Sequence, residues 1–214
     1  MIDVNLLPVL FWRCPTCHVV DNLILEKHVF KPSVVKCFHC NTLWIVKDDF
    51  LISSLGETKQ INDWYNQVVS TPLNVSPIPT SLILKHEEQA VLENRSQLFK
   101  EKTVSNYVGG SSGMSFRVMR GVTYRIGGYQ GRKVSHQEIQ PIDEGVLTLT
   151  TAHLYFNGSF QAVSVVLRNV SMVTVGNGLL QVVSGQKVHL FGGLGNLLFK
   201  WETYVKALVS NASR

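Results

Sequence analysis

Two pairs of cysteines with identical spacing are the residues of this chain whose chemistry is easiest to define. Each pair places two thiols three positions apart, and nineteen residues separate the pairs, which are Cys14 with Cys17 and Cys37 with Cys40. A short hairpin between two such pairs can bring all four sulfurs to one point. The sequence therefore predicts a tetrahedral metal site with these four ligands, and thiolates in this pattern favour Zn²⁺.

The predicted metal site is structural, because four sulfurs saturate zinc and leave no position at which water could be activated. His18 adjoins the first pair and His39 lies within the second. Both are alternative ligands, but with four sulfurs available we expect them to lie around the site instead. Cysteines that hold a metal also imply a reducing compartment.

Short apolar runs beside the cysteines predict the elements that position them. Strands are predicted before each pair and after the second, over residues 11–12, 34–35 and 43–46. This order of strand, cysteine pair, hairpin, cysteine pair and strand resembles a zinc ribbon, to which residues 1–50 are assigned. A domain of that size buries little apolar surface, so the metal would supply much of its stability.

A helix, a linker and a second helix are predicted after the ribbon. Ser54 and Glu57 have the spacing of a capping box, and apolar residues then recur with a helical period, which predicts a helix over residues 55–70. Residues 71–81 contain three prolines among small polar residues and are predicted to be an extended linker, so that residues 51–81 separate two domains. Residues 84–101 have a helix-forming composition with apolar residues seven positions apart, which predicts the second helix.

The remainder of the chain has the pattern of short strands followed by one amphipathic helix. Strands are predicted over residues 116–126, 146–150, 154–157, 162–167, 170–175, 179–183 and 187–191. Apolar residues then lie on one helical face from Leu194 to Leu208, in a helix that ends near Ser210. The predicted fold class is mainly β (α+β): a small zinc ribbon and, over residues 82–214, a helix with a barrel of about seven strands closed by the C-terminal helix.

One hairpin in this second part resembles a known family. The segment from Gly145 to Gly158, GVLTLTTAHLYFNG, is similar to the pattern G-x-L-x-[LIV]-T-x-x-[RH]-L-x-F of GRAM and related bacterial pleckstrin-homology-like domains. The terminal helix with Trp201 is similar to their closing helix, so the resemblance spans residues 115–210. It implies a pleckstrin-homology-like fold that binds lipid head groups or proteins, and it implies no catalytic residues.

A group of cations with no acid among them lies early in this β-rich part. Three glycines interrupt the group, so a hairpin with a glycine-rich turn is predicted; the cations are Arg117, Arg120, Arg125, Arg132 and Lys133. The resemblance implies that such a first hairpin holds phosphorylated head groups, and arginine forks suit bidentate contact with phosphate. The alternative interpretation is a solvated strand face.

Neither a catalytic set nor a membrane signal is found in the sequence. No serine lies in a G-x-S-x-G motif, and His136, His153 and His189 are far apart with no carboxylate pattern to orient them. No cleavable leader is evident and no apolar run approaches the roughly 20 residues that cross a bilayer, which leads us to expect a cytoplasmic protein.

The sequence favours a non-enzymatic adaptor or regulatory protein that binds a partner. A protein partner is the first expectation and an anionic membrane surface the second. The alternative is a nucleic-acid-binding regulatory protein that uses the ribbon and the basic hairpin. Because Lys and Arg in residues 1–50 are balanced by as many Asp and Glu, while the net charge of +5 resides in the C-terminal half, the ribbon itself offers phosphate little attraction.

Overall fold

The computed structural model describes residues 7–10, 12–28, 31–71, 73, 75–108, 114–119, 122–126 and 132–212. The helices are α1 (Leu7–Leu10), α2 (Ile61–Ser70) and α3 (Leu198–Ala212). The strands are β1 (Leu23–Glu26), β2 (Val34–Cys37), β3 (Leu43–Lys47), β4 (Phe50–Ser53), β5 (Thr58–Gln60), β6 (Ala90–Val108), β7 (Met114–Met119), β8 (Val122–Ile126), β9 (Arg132–Thr150), β10 (His153–Gly158), β11 (Ala162–Val166), β12 (Val170–Gly176), β13 (Leu179–Ser184) and β14 (Lys187–Gly192). None of the described helices is long and apolar enough to cross a membrane.

The first five strands form one antiparallel sheet in chain order. Side chains alternate between its two faces, as they must in a pleated strand. In β3, Trp44 and Val46 are buried while Leu43, Ile45 and Lys47 are exposed. The buried face of the sheet and the apolar side of α2 supply core residues, among them Val35, Trp44, Leu51, Ile61, Trp64 and Val68.

The predicted strands at residues 34–35 and 43–46 correspond to β2 and β3, whereas α2 begins six residues later than predicted. Ser54 and Glu57 belong to the turn of the β4–β5 hairpin, in which the Ser53 N–H donates to the Glu57 carbonyl over 2.7 Å. Gly56 adopts a φ of 87° there, a conformation that glycine allows at no steric cost. The capping-box prediction is therefore wrong, since turn chemistry and strand pairing use the same residues.

Seven strands form a second sheet, in the order β11-β10-β9-β6-β14-β13-β12, and the pairs β9–β10, β10–β11, β12–β13 and β13–β14 are antiparallel. In the β9–β10 hairpin, which contains the sequence motif, Gly145 lies opposite Gly158. The predicted mainly β class and the single C-terminal helix are confirmed. Within the described residues this sheet has two edge strands, β11 and β12, and no closed barrel is found.

The second predicted helix, over residues 84–101, is wrong, because strand β6 begins at Ala90. Pairing with distant elements determines this segment. The Ser96 hydroxyl donates to the Gly192 carbonyl over 2.9 Å, and the Asn94 side-chain oxygen accepts the indole N–H of Trp201 over 3.0 Å. Helix propensity amounts to a few tenths of a kcal/mol per residue, and such tertiary contacts readily outweigh it.

The chain divides into two compact units, one of residues 1–98 with 143–214 and one of residues 99–142. In the second unit β7 and β8 pair with each other, so the single strand predicted over residues 116–126 is a hairpin. In the first unit the N-terminal segment contacts α3 directly. The Lys200 ammonium pairs with the Asp21 carboxylate, and the rings of Trp12 and Tyr204 lie edge to face with centroids 5.9 Å apart. The predicted domain bounds of 1–50, 51–81 and 82–214 stay a prediction.

Candidate metal centre

The structure brings the four cysteines together. The sulfurs of Cys14 and Cys40 are 3.8 Å apart, those of Cys17 and Cys37 are 3.7 Å apart, and all four lie within 4.8 Å of one another. Four sulfurs at about 2.3 Å from a central zinc would be about 3.8 Å apart, whereas a disulfide bond is about 2.05 Å long. The donor set therefore fits a tetrahedral metal ion and does not fit disulfides.

Each cysteine pair lies in a turn of the same form. The carbonyl of the first cysteine accepts the N–H of the residue that follows the second: Cys14 from His18 over 3.0 Å, and Cys37 from Asn41 over 2.9 Å. Both donor residues have a left-handed backbone, with φ of 60° at His18 and 58° at Asn41. This conformation turns the chain back on itself, so that both sulfurs of a pair point to one side.

Burial and hydrogen bonding act differently on the four thiols. Cys14 and Cys37 are buried, and burial raises the pKa of the Cys14 thiol well above its ordinary range and that of Cys17 also. Burial acts in the same direction on Cys40, but hydrogen bonds from the Thr42 hydroxyl, 3.2 Å away, and from the Thr42 backbone outweigh it and lower the Cys40 pKa to about 6. A bound metal ion would favour the thiolate form of these cysteines, because metal ligation requires deprotonated sulfur.

Two side chains that support the site were missed by the sequence analysis. Arg13 is buried and donates from Nε to the His18 carbonyl over 2.9 Å and from a terminal nitrogen to the Thr71 carbonyl over 3.2 Å. It thereby joins the first cysteine turn to the end of α2. Thr42 supports the second turn through Cys40. The sequence indicates Arg13 and Thr42 only as polar residues close to the cysteine pairs.

The histidines beside the cysteine pairs are not members of the cluster, which consists of the four cysteines among the described residues. His39 is exposed, as expected. His18 is half-buried.

The predicted basic hairpin is only partly placed. Arg117 lies in β7, Arg125 in β8, and Arg132 and Lys133 at the start of β9, but the side chains of these four residues lie outside what the structure describes. Arg120 lies outside the described residues altogether. Anion binding by these five residues stays a prediction.

Comparison with known proteins does not assign the chain to a family: no protein-family model, curated protein or solved structure matches it. The evidence for the site is therefore the geometry of its own residues. Four free thiols lie within 4.8 Å of one another and are held by two matching turns, and together they form a cluster that can bind a metal ion.

Proposed function

We propose that this protein is a non-enzymatic binding protein in which a structural zinc ion shapes a small sheet that docks on another protein. The observation that carries the proposal is a four-sulfur cluster next to a small sheet with one buried face and exposed apolar side chains on the other. Four thiolates would complete the coordination of zinc, so the ion would hold the two turns together and would have no position for a substrate.

Metal analysis of purified protein tests the zinc part of the proposal. We expect one zinc per chain by mass spectrometry of the metal, and a tetrahedral thiolate spectrum after exchange for Co²⁺. Cys37→Ser should abolish stoichiometric binding and unfold the N-terminal sheet, whereas Ser54→Ala, a hydroxyl change in the turn between β4 and β5, should leave the zinc content unchanged. Protein that folds fully without any metal would contradict the proposal.

The exposed face of the five-stranded sheet, called here the ribbon face, supports docking. Its positions follow from the strand register, in which Ile24 lies opposite Lys36, Lys36 opposite Leu43, and Ile45 opposite Ile52. Apolar side chains at the centre of the ribbon face are exposed or half-buried: Ile24, Val34, Leu43, Ile45, Phe50 and Ile52. A contiguous apolar patch of this kind is uncommon on a protein that works alone and indicates a binding surface.

Charges on the ribbon face favour an acidic partner. Lys36 and Lys47 lie on it with a single acid, Glu26, and the Lys36 ammonium is 5.5 Å from the ring centroid of Phe38, which is itself 52% exposed. A two-fold dimer through this face would bring equivalent lysines toward one another, which costs free energy. The occupant that fits is therefore a different protein, with apolar side chains flanked by aspartate or glutamate.

Affinity capture with matched variants tests this occupant. Ile45→Glu and the pair Lys36→Glu with Lys47→Glu should lose a partner that the unmodified protein retains. Val188→Glu and Lys187→Glu, which change exposed residues of β14, should keep it. A carbodiimide should join Lys36 or Lys47 to carboxylates of that partner.

Two outcomes would reject protein docking through the ribbon face. One is that the Ile45→Glu variant captures the same proteins as the unmodified protein. The other is a homodimer, measured by light scattering, that dissociates in the Ile45→Glu variant, since this would make a second copy the occupant.

The second part of the proposal is a pleckstrin-homology-like module formed by the seven-stranded sheet and α3. Seven antiparallel strands followed by one C-terminal helix support it. Flotation with vesicles of acidic lipid and gel shifts over a salt series test the membrane and nucleic-acid alternatives, which depend on the basic hairpin. We further propose that the protein works in a reducing compartment such as the cytoplasm, where its thiols can hold the metal.

A further inference from the structure

A cavity of about 340 Å³ lies in the first unit, remote in sequence from the cysteines and from the basic hairpin. It is formed where the β9–β10 turn, the connection from β11 to β12 and the end of α3 come together. Its polar lining consists of Lys85, Thr151, His153 and Arg168, and Ala152, Val166 and Ala212 complete the wall. The cavity combines cationic and hydroxyl groups on one side with small apolar groups on the other.

No ion pair is found for the Lys85 or Arg168 side chain within the described residues, while the Glu88 carboxylate lies behind the His153 ring. Lys85 and Arg168 are exposed, and neither side chain forms an ion pair or hydrogen bond with a described residue. No acidic side chain lines the cavity. Two positive side chains that face one small volume create an attractive potential for an anion.

His153 is held in a fixed orientation at this cavity by a buried carboxylate. Its Nδ1 lies 2.9 Å from Glu88 Oε1, and the two side chains are only 12% and 3% exposed. The Thr150 hydroxyl donates to the same carboxylate oxygen, and the ring stacks on Tyr155 with centroids 5.2 Å apart. Since Nδ1 is used by Glu88, Nε2 is the ring nitrogen left for a ligand.

The ionisation state of Glu88 favours its hydrogen bond with His153. Burial alone would raise the pKa of its carboxyl, but hydrogen bonds from Thr150 and His153 outweigh burial and lower it. The carboxylate is therefore ionised at neutral pH and accepts the hydrogen bond of His153 Nδ1. Glu88 and His153 are 65 positions apart in the chain, so no local pattern indicated a carboxylate partner for this histidine.

We propose that this cavity binds a small molecule that carries a phosphate group. Arg168, Lys85, Thr151 and His153 all line the cavity, and their side chains carry the kinds of donor that suit a tetrahedral oxyanion. The volume is at the lower end of small-molecule sites and exceeds that of a phosphate ion, so the apolar wall would contact an organic remainder.

Titration of the full-length protein with glycerol 3-phosphate and with inorganic phosphate tests the site. We expect saturable changes in the ¹⁵N shifts of the His153 ring, with tighter binding of the organic phosphate and no comparable effect of acetate or chloride. Arg168→Gln or Lys85→Gln should raise the Kd at least about tenfold, the effect of losing one charge-assisted hydrogen bond. The matched variants Arg95→Gln and Lys187→Gln, at exposed cations elsewhere, should leave the Kd unchanged.

Circular dichroism of every variant separates a lost site from a lost fold. The proposal is overturned if millimolar concentrations of both phosphates leave the His153 ring unchanged. It is also overturned if Arg168→Gln and Lys85→Gln fold and bind as the unmodified protein does. Binding to phosphatidic acid vesicles without any response to soluble phosphates would overturn it as well, since the source would then be a lipid surface.

Discussion

Individual residues decide the geometry around the four sulfurs, and Asn41 is the clearest case. Its left-handed backbone closes the second cysteine turn, and its side chain is exposed, so backbone conformation rather than packing determines which residues this position accepts. A β-branched residue in this conformation costs about 1 to 2 kcal/mol.

We therefore expect Asn41→Val to lower the free energy of unfolding by about 1 to 2 kcal/mol, while Asn41→Gly should be neutral or slightly stabilising. Urea unfolding of the metal-loaded protein measures both. Asn157→Val, at an exposed position in strand β10, is the matched control and should be tolerated, because strands favour β-branched residues. Equal losses in Asn41→Val and Asn41→Gly would show that the left-handed conformation is not the determinant.

Thr42 provides a second test at the residue scale, because its hydroxyl lies 3.2 Å from the Cys40 sulfur. Groups that hydrogen-bond to metal ligands typically change metal affinity by about 10- to 100-fold. Thr42→Val should keep one metal per chain but weaken its affinity about tenfold in competition with a chromophoric chelator. Thr16→Val should have no effect, since Thr16 contacts Cys14 through its backbone N–H.

At the scale of elements, the carboxylate of Asp143 in β9 organises the β10–β11 turn. It accepts four backbone N–H groups, from Glu144, Ser159, Phe160 and Gln161, over 2.7 to 3.1 Å. A Cβ atom on Gly158 would lie 2.1 Å from this carboxylate, so glycine is required for the close approach. Although burial opposes it, this set of hydrogen bonds lowers the pKa of Asp143.

The lowered pKa gives a stability change with a definite sign. The unfolded chain binds a proton at Asp143 more readily than the folded protein does, so the contribution of this carboxylate is complete above about pH 4 and is lost as the pH falls through the folded pKa. Asp143→Asn should lower the melting temperature at pH 7 and flatten the loss of stability in acid. Glu144→Gln is the matched control. Thermal unfolding over a pH series measures the stability of both variants. If Glu144→Gln and Asp143→Asn depended on pH in the same way, Asp143 would not be the carboxylate responsible.

How far the sequence predicts these elements depends on how local the determining contacts are. The strands β10 to β14 were predicted to within about one residue of their bounds, because alternating side chains and glycine turns define them locally. The cluster of four cysteines was also predicted, because the spacing of two cysteine pairs is a local feature of the sequence. The segment that became β6 and the Glu88–His153 pair were missed, since partners far away in the sequence determine them.

At the scale of the whole first unit, the cysteine turns and α3 are joined. Asp21 follows the first cysteine turn, and its backbone N–H donates to the Trp12 carbonyl over 2.9 Å. Lys200 and Tyr204 of α3 then contact Asp21 and Trp12. Because both contacts depend on the turn around Cys14 and Cys17, loss of the metal should loosen α3.

Hydrogen exchange with and without a zinc chelator measures this coupling. Amides of α3 should exchange faster after the metal is removed, and those of the β12–β13 hairpin should keep most of their protection. Lys200→Met should increase exchange in α3 even with metal bound, whereas Asn211→Ala, a change at an exposed residue of the same helix, should not. Unchanged protection of α3 in the chelated protein would show that the two parts are independent.

The contact between Asp21 and Lys200 spans 179 positions of the chain. During translation the residues around Trp12 leave the ribosome long before those of α3, so a nascent chain displays this surface without its cover until synthesis has passed residue 204. Such a late-closing contact makes the growing polypeptide vulnerable to proteases and a natural client for chaperones. Stalled or truncated products that lack α3 would accordingly be recognised and degraded by the cell.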